Sequence, residues 1–140
     1  MRYFSGTVSH QLDGKNRIRI PAKFRTDLGN EFYFMAGAQG SIYVFPKEAL
    51  EERLEALKSI KSSDPVKMQA KRKIQSSVEK VNEDEQGRTL LSSFLREHAH
   101  IQKDIVTIGM GDYLEIWSKE RFDAYSAEMN YDDAYALVDF

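Results

Sequence analysis

Two carboxylate–guanidinium pairs stand at the same spacing in this chain: Asp13 with Arg17, and Asp84 with Arg88, 71 positions further on. A carboxylate four residues from an arginine can hold the guanidinium as an oriented fork. That planar fork matches guanine O6 and N7, or two oxygens of a phosphate. The first pair lies in D-G-K-N-R-I-R-I-P-A-K-F-R, residues 13–25. Here Gly14 opens a tight turn because glycine takes positive φ without steric cost, and Asn16 is among the few other residues that tolerate that region. From Arg17 the pattern alternates. In a strand this sends Ile18 and Ile20 to one face and Arg17 and Arg19 to the other, and Pro21 ends the ladder because it has no N–H to donate. In the second copy, D-E-Q-G-R, Gly87 takes the place of Asn16. Asp13, Asn16, Asp84 and Gly87 are therefore read as turn-orienting residues. Arg17 and Arg19 are read as contacts to an anionic partner, and Lys15 as a phosphate contact that positions without reading sequence. The plainer alternative for Arg17 is a surface ion pair with Asp13, worth little by itself. The two readings are compatible if Asp13 orients the arginine.

The elements that must carry these turns also recur. Leu91 falls at Ile20, Leu95 at Phe24 and Arg96 at Arg25. With the offset changed by one, I-Y-V-F-P-K-E from Ile42 matches L-E-I-W-S-K-E from Leu114. A motif used twice marks a tandem repeat. The first copy predicts a strand over 4–12 with a bulge or close approach at Gly6. A short helix over 22–28 stopped by Gly29-Asn30 follows, then strands over 31–35 and 42–45, and a helix from Lys47 to residue 60 with Leu50, Leu54 and Leu57 on one stripe. Asp64-Pro65 reads as an N-cap with proline in the first helical position, opening a connector helix to about residue 76. Its Lys67, Lys71, Arg72 and Lys73 read as a solvated face before they read as a DNA flank. The second copy predicts a poor strand over 77–83, strands over 105–108 and 113–117, and a helix capped by Ser118 with a stripe of Phe122, Tyr125 and Met129. The expected organisation is a first repeat at 1–60, a connector helix at 61–76, a second repeat at 77–130 and a mobile acidic tail at 131–140. Half a barrel cannot bury its apolar face alone; two halves closing on each other about a pseudo-twofold can.

With 140 residues and 41% hydrophobic content the chain can build one packed interior. The net charge of −2 argues against nucleic acid taken as a total, but the distribution is uneven. Arg2, Lys15, Arg17, Arg19, Lys23 and Arg25 face Asp13 alone in the first 25 residues. Residues 13–25 carry five bases and one acid, whereas residues 84–96 balance Arg88 and Arg96 against Asp84 and Glu85. A local field of that kind steers a polyanion whatever the total charge, and it predicts that the first turn dominates binding.

The same residues argue against other classes. There is no cysteine, hence no disulfide framework and no thiol nucleophile. No Gly-rich phosphate loop and no zinc spacing is present, and His98 and His100 lack a clear third ligand, so a helix-end role is expected for them. No enzyme activity, metal or cofactor is expected. No apolar run approaches a membrane span, and the N-terminus lacks the apolar core of a signal peptide.

The segments L-D-G-K-N-R-I-R-I-P-A-K-F-R, D-E-Q-G-R and L-E-I-W-S-K-E-R-F together closely resemble the MraZ family of the AbrB/SpoVT swapped-hairpin superfamily. The resemblance covers residues 1–129 at matching spacing. It implies a mainly β fold with flanking helices, in which two tandem pseudo-symmetric β-α-β repeats form a double-split, swapped-hairpin β-barrel. It implies a cytoplasmic, nucleoid-associated transcriptional regulator that binds direct repeats of double-stranded DNA in the promoter of the division and cell-wall gene cluster. It also implies a homo-oligomeric ring of about eight to twelve subunits, with Asp13–Arg17 and Asp84–Arg88 at the DNA-binding surface. An antitoxin-like protein-binding module of the same superfamily is the alternative, although such proteins usually carry a long disordered tail and only eleven residues follow Met129 here. Three positions depart from the family pattern: Asn16 replaces a glycine, Glu83 an apolar residue, and Ser92-Ser93 a proline-containing pair. The last two predict a second turn held less firmly than the first.

Overall fold

A computed structural model describes residues 3–140; Arg2, counted above among the first basic residues, lies outside the described residues. The first repeat runs β1 (Thr7–Gln11), β2 (Arg17–Arg19), α1 (Ala22–Leu28), β3 (Phe32–Ala36), β4 (Ile42–Pro46) and α2 (Lys47–Lys58). After α3 (Pro65–Gln75) the second repeat follows the same order, β5 (Glu79–Lys80), β6 (Arg88–Leu90), α4 (Ser93–Ala99), β7 (Asp104–Gly109), β8 (Leu114–Ser118) and α5 (Lys119–Ala127). A last helix, α6 (Tyr131–Val138), closes the chain.

Pairing between strands carries the repeat into three dimensions. One sheet has the order β1-β7-β8-β4-β3-β5, and β2 pairs with β6 in a separate two-stranded ribbon. The opening strands exchange halves: β1 pairs with β7 of the second repeat, and β5 with β3 of the first. At the centre, β4 lies antiparallel to β8 with Ile42 opposite Ile116 and Val44 opposite Leu114, so Tyr43 and Glu115 face each other on the pseudo-twofold. The six-stranded sheet is open. Its ends, β1 and β5, do not pair with each other, so the closed barrel expected from the sequence is not formed by strand pairing; β5 is only two residues long and cannot extend a ladder far.

The core is shared by the halves. Phe4, Ile18, Ile20, Phe24, Phe32 and Ile42 pack in one cluster with Leu91, Leu95, Ile105, Leu114 and Ile116. Phe4 and Phe24 meet edge to face at 6.1 Å. Gly6 takes φ +85° before β1, and the Lys23 ammonium occupies the space a β-carbon would need. The helix signals hold locally: the Asp64 carboxylate accepts from Lys67 N with Pro65 in the first turn, and the Ser118 hydroxyl accepts from Arg121 N. On α2 Leu50 is buried while Leu54 and Leu57 are half-covered. On α5 Phe122 meets Trp117 edge to face and Tyr125 stacks on it, while Met129, just past the helix end, stays exposed.

The acidic end is not an extended tail. Asn130 caps α6 by accepting from Asp133 N at 2.8 Å, and Asp132 and Asp133 sit in the first turn, where carboxylates favour the helix dipole. Among the described residues no helix is long and apolar enough to cross a membrane.

Candidate nucleic-acid interface

Both Asp-x-x-x-Arg turns fold the same way, and the cause is local. The Asp13 carbonyl accepts from Asn16 N at 3.1 Å, and the Asp84 carbonyl from Gly87 N at 3.0 Å. Asp13 N in turn donates to Arg17 O on the strand, as Asp84 N does to Arg88 O. The fourth turn position must adopt positive φ to enter the strand. Asn16 does so at +60° and Gly87 at +74°. The positive-φ residue of the first turn is thus Asn16 and not Gly14, whose role in the sequence reading is corrected accordingly.

Each aspartate carboxylate accepts three hydrogen bonds, two of them from its arginine. Asp13 Oδ1 accepts from Lys15 N and Arg17 N at 2.8 and 2.9 Å, and Oδ2 accepts from Arg17 Nε at 2.7 Å. Asp84 Oδ1 accepts from Gln86 N and Arg88 N, both at 2.9 Å, and Oδ2 from Arg88 Nε at 2.9 Å. The Arg17 backbone N–H, with that of Lys15 and the Arg17 guanidinium behind it, holds the Asp13 carboxyl down at about 2. Asp84 is lowered in the same way, led by Arg88 N. With Nε engaged, the two terminal nitrogens of each guanidinium are left unused by the aspartate of its own turn. Arg17 Nη1 also lies 3.9 Å from Asp84 Oδ2, which ties the two turns together.

The ribbon brings both copies to one face. Arg17 stands opposite Leu90, Ile18 opposite Thr89, and Arg19 opposite Arg88. Ile18 and Thr89 are buried beneath, so Arg17, Arg19, Arg88 and Leu90 share the outer face by strand alternation. Lys15 is exposed at the tip of the first turn. Three of the four residues read as contacts, Arg17, Arg19 and Arg88, therefore share one face of the ribbon, and Lys15 lies on the turn that leads into it.

The second turn is as fully bonded as the first, contrary to the expectation from Glu83 and Ser92-Ser93. Glu83 is met by Arg25 from the other repeat: Nη2 donates to Oε1 at 3.1 Å, while Nη1 and Oε2 lie 2.8 Å apart outside hydrogen-bond alignment. Ser92 caps α4 by accepting from Leu95 N and donates its hydroxyl to Glu79. The sequence reading also passed over Leu90, whose signal was its place in the repeat, where the first copy carries Arg19. His98 lies near the end of α4, its Nε2 donating to the Gly37 and Ser41 carbonyls, and His100 caps that helix in the left-handed region. Lys67, Arg72 and Lys73 face solvent on α3.

Comparison with known proteins agrees with the doubled motif. The family model described as "MraZ protein, putative antitoxin-like" matches residues 3–73 and again 76–136, once for each repeat. The chain is 37% identical over 140 residues to the Transcriptional regulator MraZ of Heliobacterium modesticaldum, covering 98% of both chains. It is 38% identical over 143 residues to that of Natranaerobius thermophilus, again covering 98% of each. With the protein of the same name from Clostridium beijerinckii it shares 40% over 129 residues, 92% of this chain and 90% of the relative. Two matched repeats and near full-length relatives leave one assignment: the chain belongs to the MraZ family.

Proposed function

We propose that this protein is a sequence-specific DNA-binding transcriptional regulator, acting in the cytoplasm at the nucleoid, that reads direct repeats in the promoter of the division and cell-wall gene cluster. The observation that carries the reading is the β2–β6 ribbon, with Arg17, Arg19 and Arg88 on one outer face and Lys15 beside them. Two of its guanidinium groups are held in place by carboxylates before any ligand arrives. A two-stranded ribbon is of a size to enter the major groove, where an oriented arginine fork pairs with guanine O6 and N7. Lys15 supplies a phosphate contact that sets register. No cofactor enters this reading.

One subunit offers a single ribbon. A ring of about eight to twelve copies would offer several ribbons to several repeats and gain by effective concentration. Support for assembly comes from the C-terminal end, where Tyr125, Met129 and Tyr131 line one open groove and Leu137, Val138 and Phe140 are exposed further along the chain. Such an apolar surface suits another copy of the chain better than water. Removing residues 131–140 should lower the mass measured by light scattering; an unchanged mass would place the subunit contact elsewhere.

The function is tested by retention of a promoter fragment with and without competitor DNA, at several salt concentrations. Unrelated DNA should compete poorly, and log affinity should fall with log salt at about −0.9 per phosphate neutralised. Equal competition by unrelated DNA, or a slope shallower than about −2, would defeat the reading.

A further inference from the structure

The outer face of the ribbon holds one residue that charge does not explain. Leu90 is 61% exposed, directly across from Arg17 and one alternation from Arg88. Its repeat-mate is Arg19. Its neighbour Leu91 is fully buried, so Leu90 is not a core side chain that failed to reach the interior. The other ribbon residues of this face, Arg17, Arg19 and Arg88, are all cationic. An apolar side chain fixed among oriented guanidinium groups needs an apolar feature on the same ligand that those groups bind. In the major groove of DNA the base edges offer one: the C5-methyl group of thymine.

We infer that Leu90 is a specificity residue that packs on a thymine methyl group, while the arginine forks across and beside it take their hydrogen-bonding contacts. This deepens the DNA-binding reading and rests on it. The register gives it content. Directly opposed residues in a ribbon have β-carbons about 5 Å apart, and neighbouring base pairs are stacked about 3.4 Å apart. Leu90 and the Arg17 fork therefore reach the same or adjacent steps, and the thymine should lie within one or two base pairs of a guanine that Arg17 contacts. The two turns then differ in what they read, although their hydrogen bonds are the same. The half carrying Arg19 adds a further cation, and the half carrying Leu90 adds a preference for a methyl group.

The experiment begins with a duplex selected by the full-length protein from a random pool. If no duplex is enriched, DNA reading itself fails. With an enriched duplex in hand, each thymine is replaced in turn by uracil, which removes the methyl group and nothing else. At one thymine near a required guanine the wild-type protein should lose about three- to tenfold in affinity, the scale of one buried methyl group. Leu90→Ala should lose a similar factor on the thymine duplex and be indifferent to uracil at that position, with its mass by light scattering unchanged. Three results would overturn the inference: uracil tolerated at every position, as expected if Leu90 were a wedge between base pairs; a full uracil penalty kept by Leu90→Ala; or a loss of affinity in that variant only where its assembly falls apart.

Discussion

Arg25, on α1 of the first repeat, grips Glu83, which leads into the turn of the second. The pair reverses two inferences drawn from local charge. Glu83 does not lie unopposed beside the second turn, and Arg25 does not add its full charge to the first. Arg25 also packs its guanidinium over Gly87, so one residue of the first repeat braces both ends of the second turn. Its repeat-mate Arg96 has a leucine, Leu12, at the position equivalent to Glu83, and donates through Nε to the Leu91 carbonyl instead.

Removing one partner of this half-buried pair should cost more than removing both. Arg25→Ala leaves the Glu83 carboxylate without its fork, at about 1–3 kcal/mol. Glu83→Leu, which restores the leucine seen at the equivalent Leu12, should cost less, because the Arg25 side chain is 37% exposed and can reach water. The double variant Arg25→Ala/Glu83→Leu should recover most of the loss. Urea denaturation of the three proteins checks this, and additive losses would mean that the pair is not coupled.

The two positive-φ positions should respond unequally to alanine. Any β-carbon there is strained, at roughly 1–2 kcal/mol, and asparagine bears it better than alanine. Asn16→Ala should therefore cost about 1 kcal/mol at most. Gly87→Ala should cost more, because its β-carbon would also lie 3.2–3.3 Å from an Arg25 guanidinium that Glu83 holds in place. In an Arg25→Ala background the excess should vanish. Equal costs at the two sites in the wild-type background would show that Arg25 yields freely.

A pH series tests the carboxylate anchors. The Asp13 carboxyl is held at about 2, below its value of 3.8 in a free chain. Its contribution is therefore present above pH 3.8 and is lost as pH falls through the folded value. Asp84 shifts in the same direction. Asp13→Asn has no charge to lose, so its stability deficit against the wild type should be constant at neutral pH, narrow below about pH 4 and close near pH 2. A deficit that does not change with pH would remove the ionised carboxylate from the account.

What the sequence made legible was local. An aspartate four residues before an arginine, with Asn or Gly between, specifies a turn through bonds inside five residues. The Asp64-Pro65 and Ser118 caps are equally short-ranged. Non-local pairing was not legible. The alternation of β2 shows that Ile18 faces a core, but nothing in it says that Thr89 is its partner or that β1 crosses to β7. The Arg25–Glu83 pair escaped for the same reason: each side chain was judged by its neighbours in sequence, and the partner lies 58 residues away. The helical end was overlooked because Asp132 and Asp133 were weighed as charge rather than as first-turn residues behind an Asn130 cap. The barrel was expected from repeat logic that assumed opening strands long enough to close it, and β5 is too short.

The same correction governs the last expectation. Local charge alone predicts that Arg17→Ala weakens DNA binding more than Arg88→Ala, since residues 13–25 are basic and residues 84–96 are balanced. In the folded ribbon Arg88 stands directly across from Arg19, and Arg17 lies near Asp84, so neither arginine keeps the surroundings its own segment suggests. Both are bonded through Nε to an aspartate with the same backbone anchors. The field at the ribbon is shared by the two turns, because their charges lie well within a Debye length of about 8 Å across the strands. Arg17→Ala and Arg88→Ala should therefore lower specific affinity by comparable amounts, each about 1–3 kcal/mol for a bidentate base contact. Lys15→Ala should weaken selected and unrelated DNA alike and make the salt slope shallower by about one unit for each ribbon engaged. Titrations of the three variants at one salt concentration, with assembly checked by mass, separate these outcomes. A loss confined to Arg17→Ala would mean that the two turns meet DNA separately and that the ribbon is not the unit of recognition.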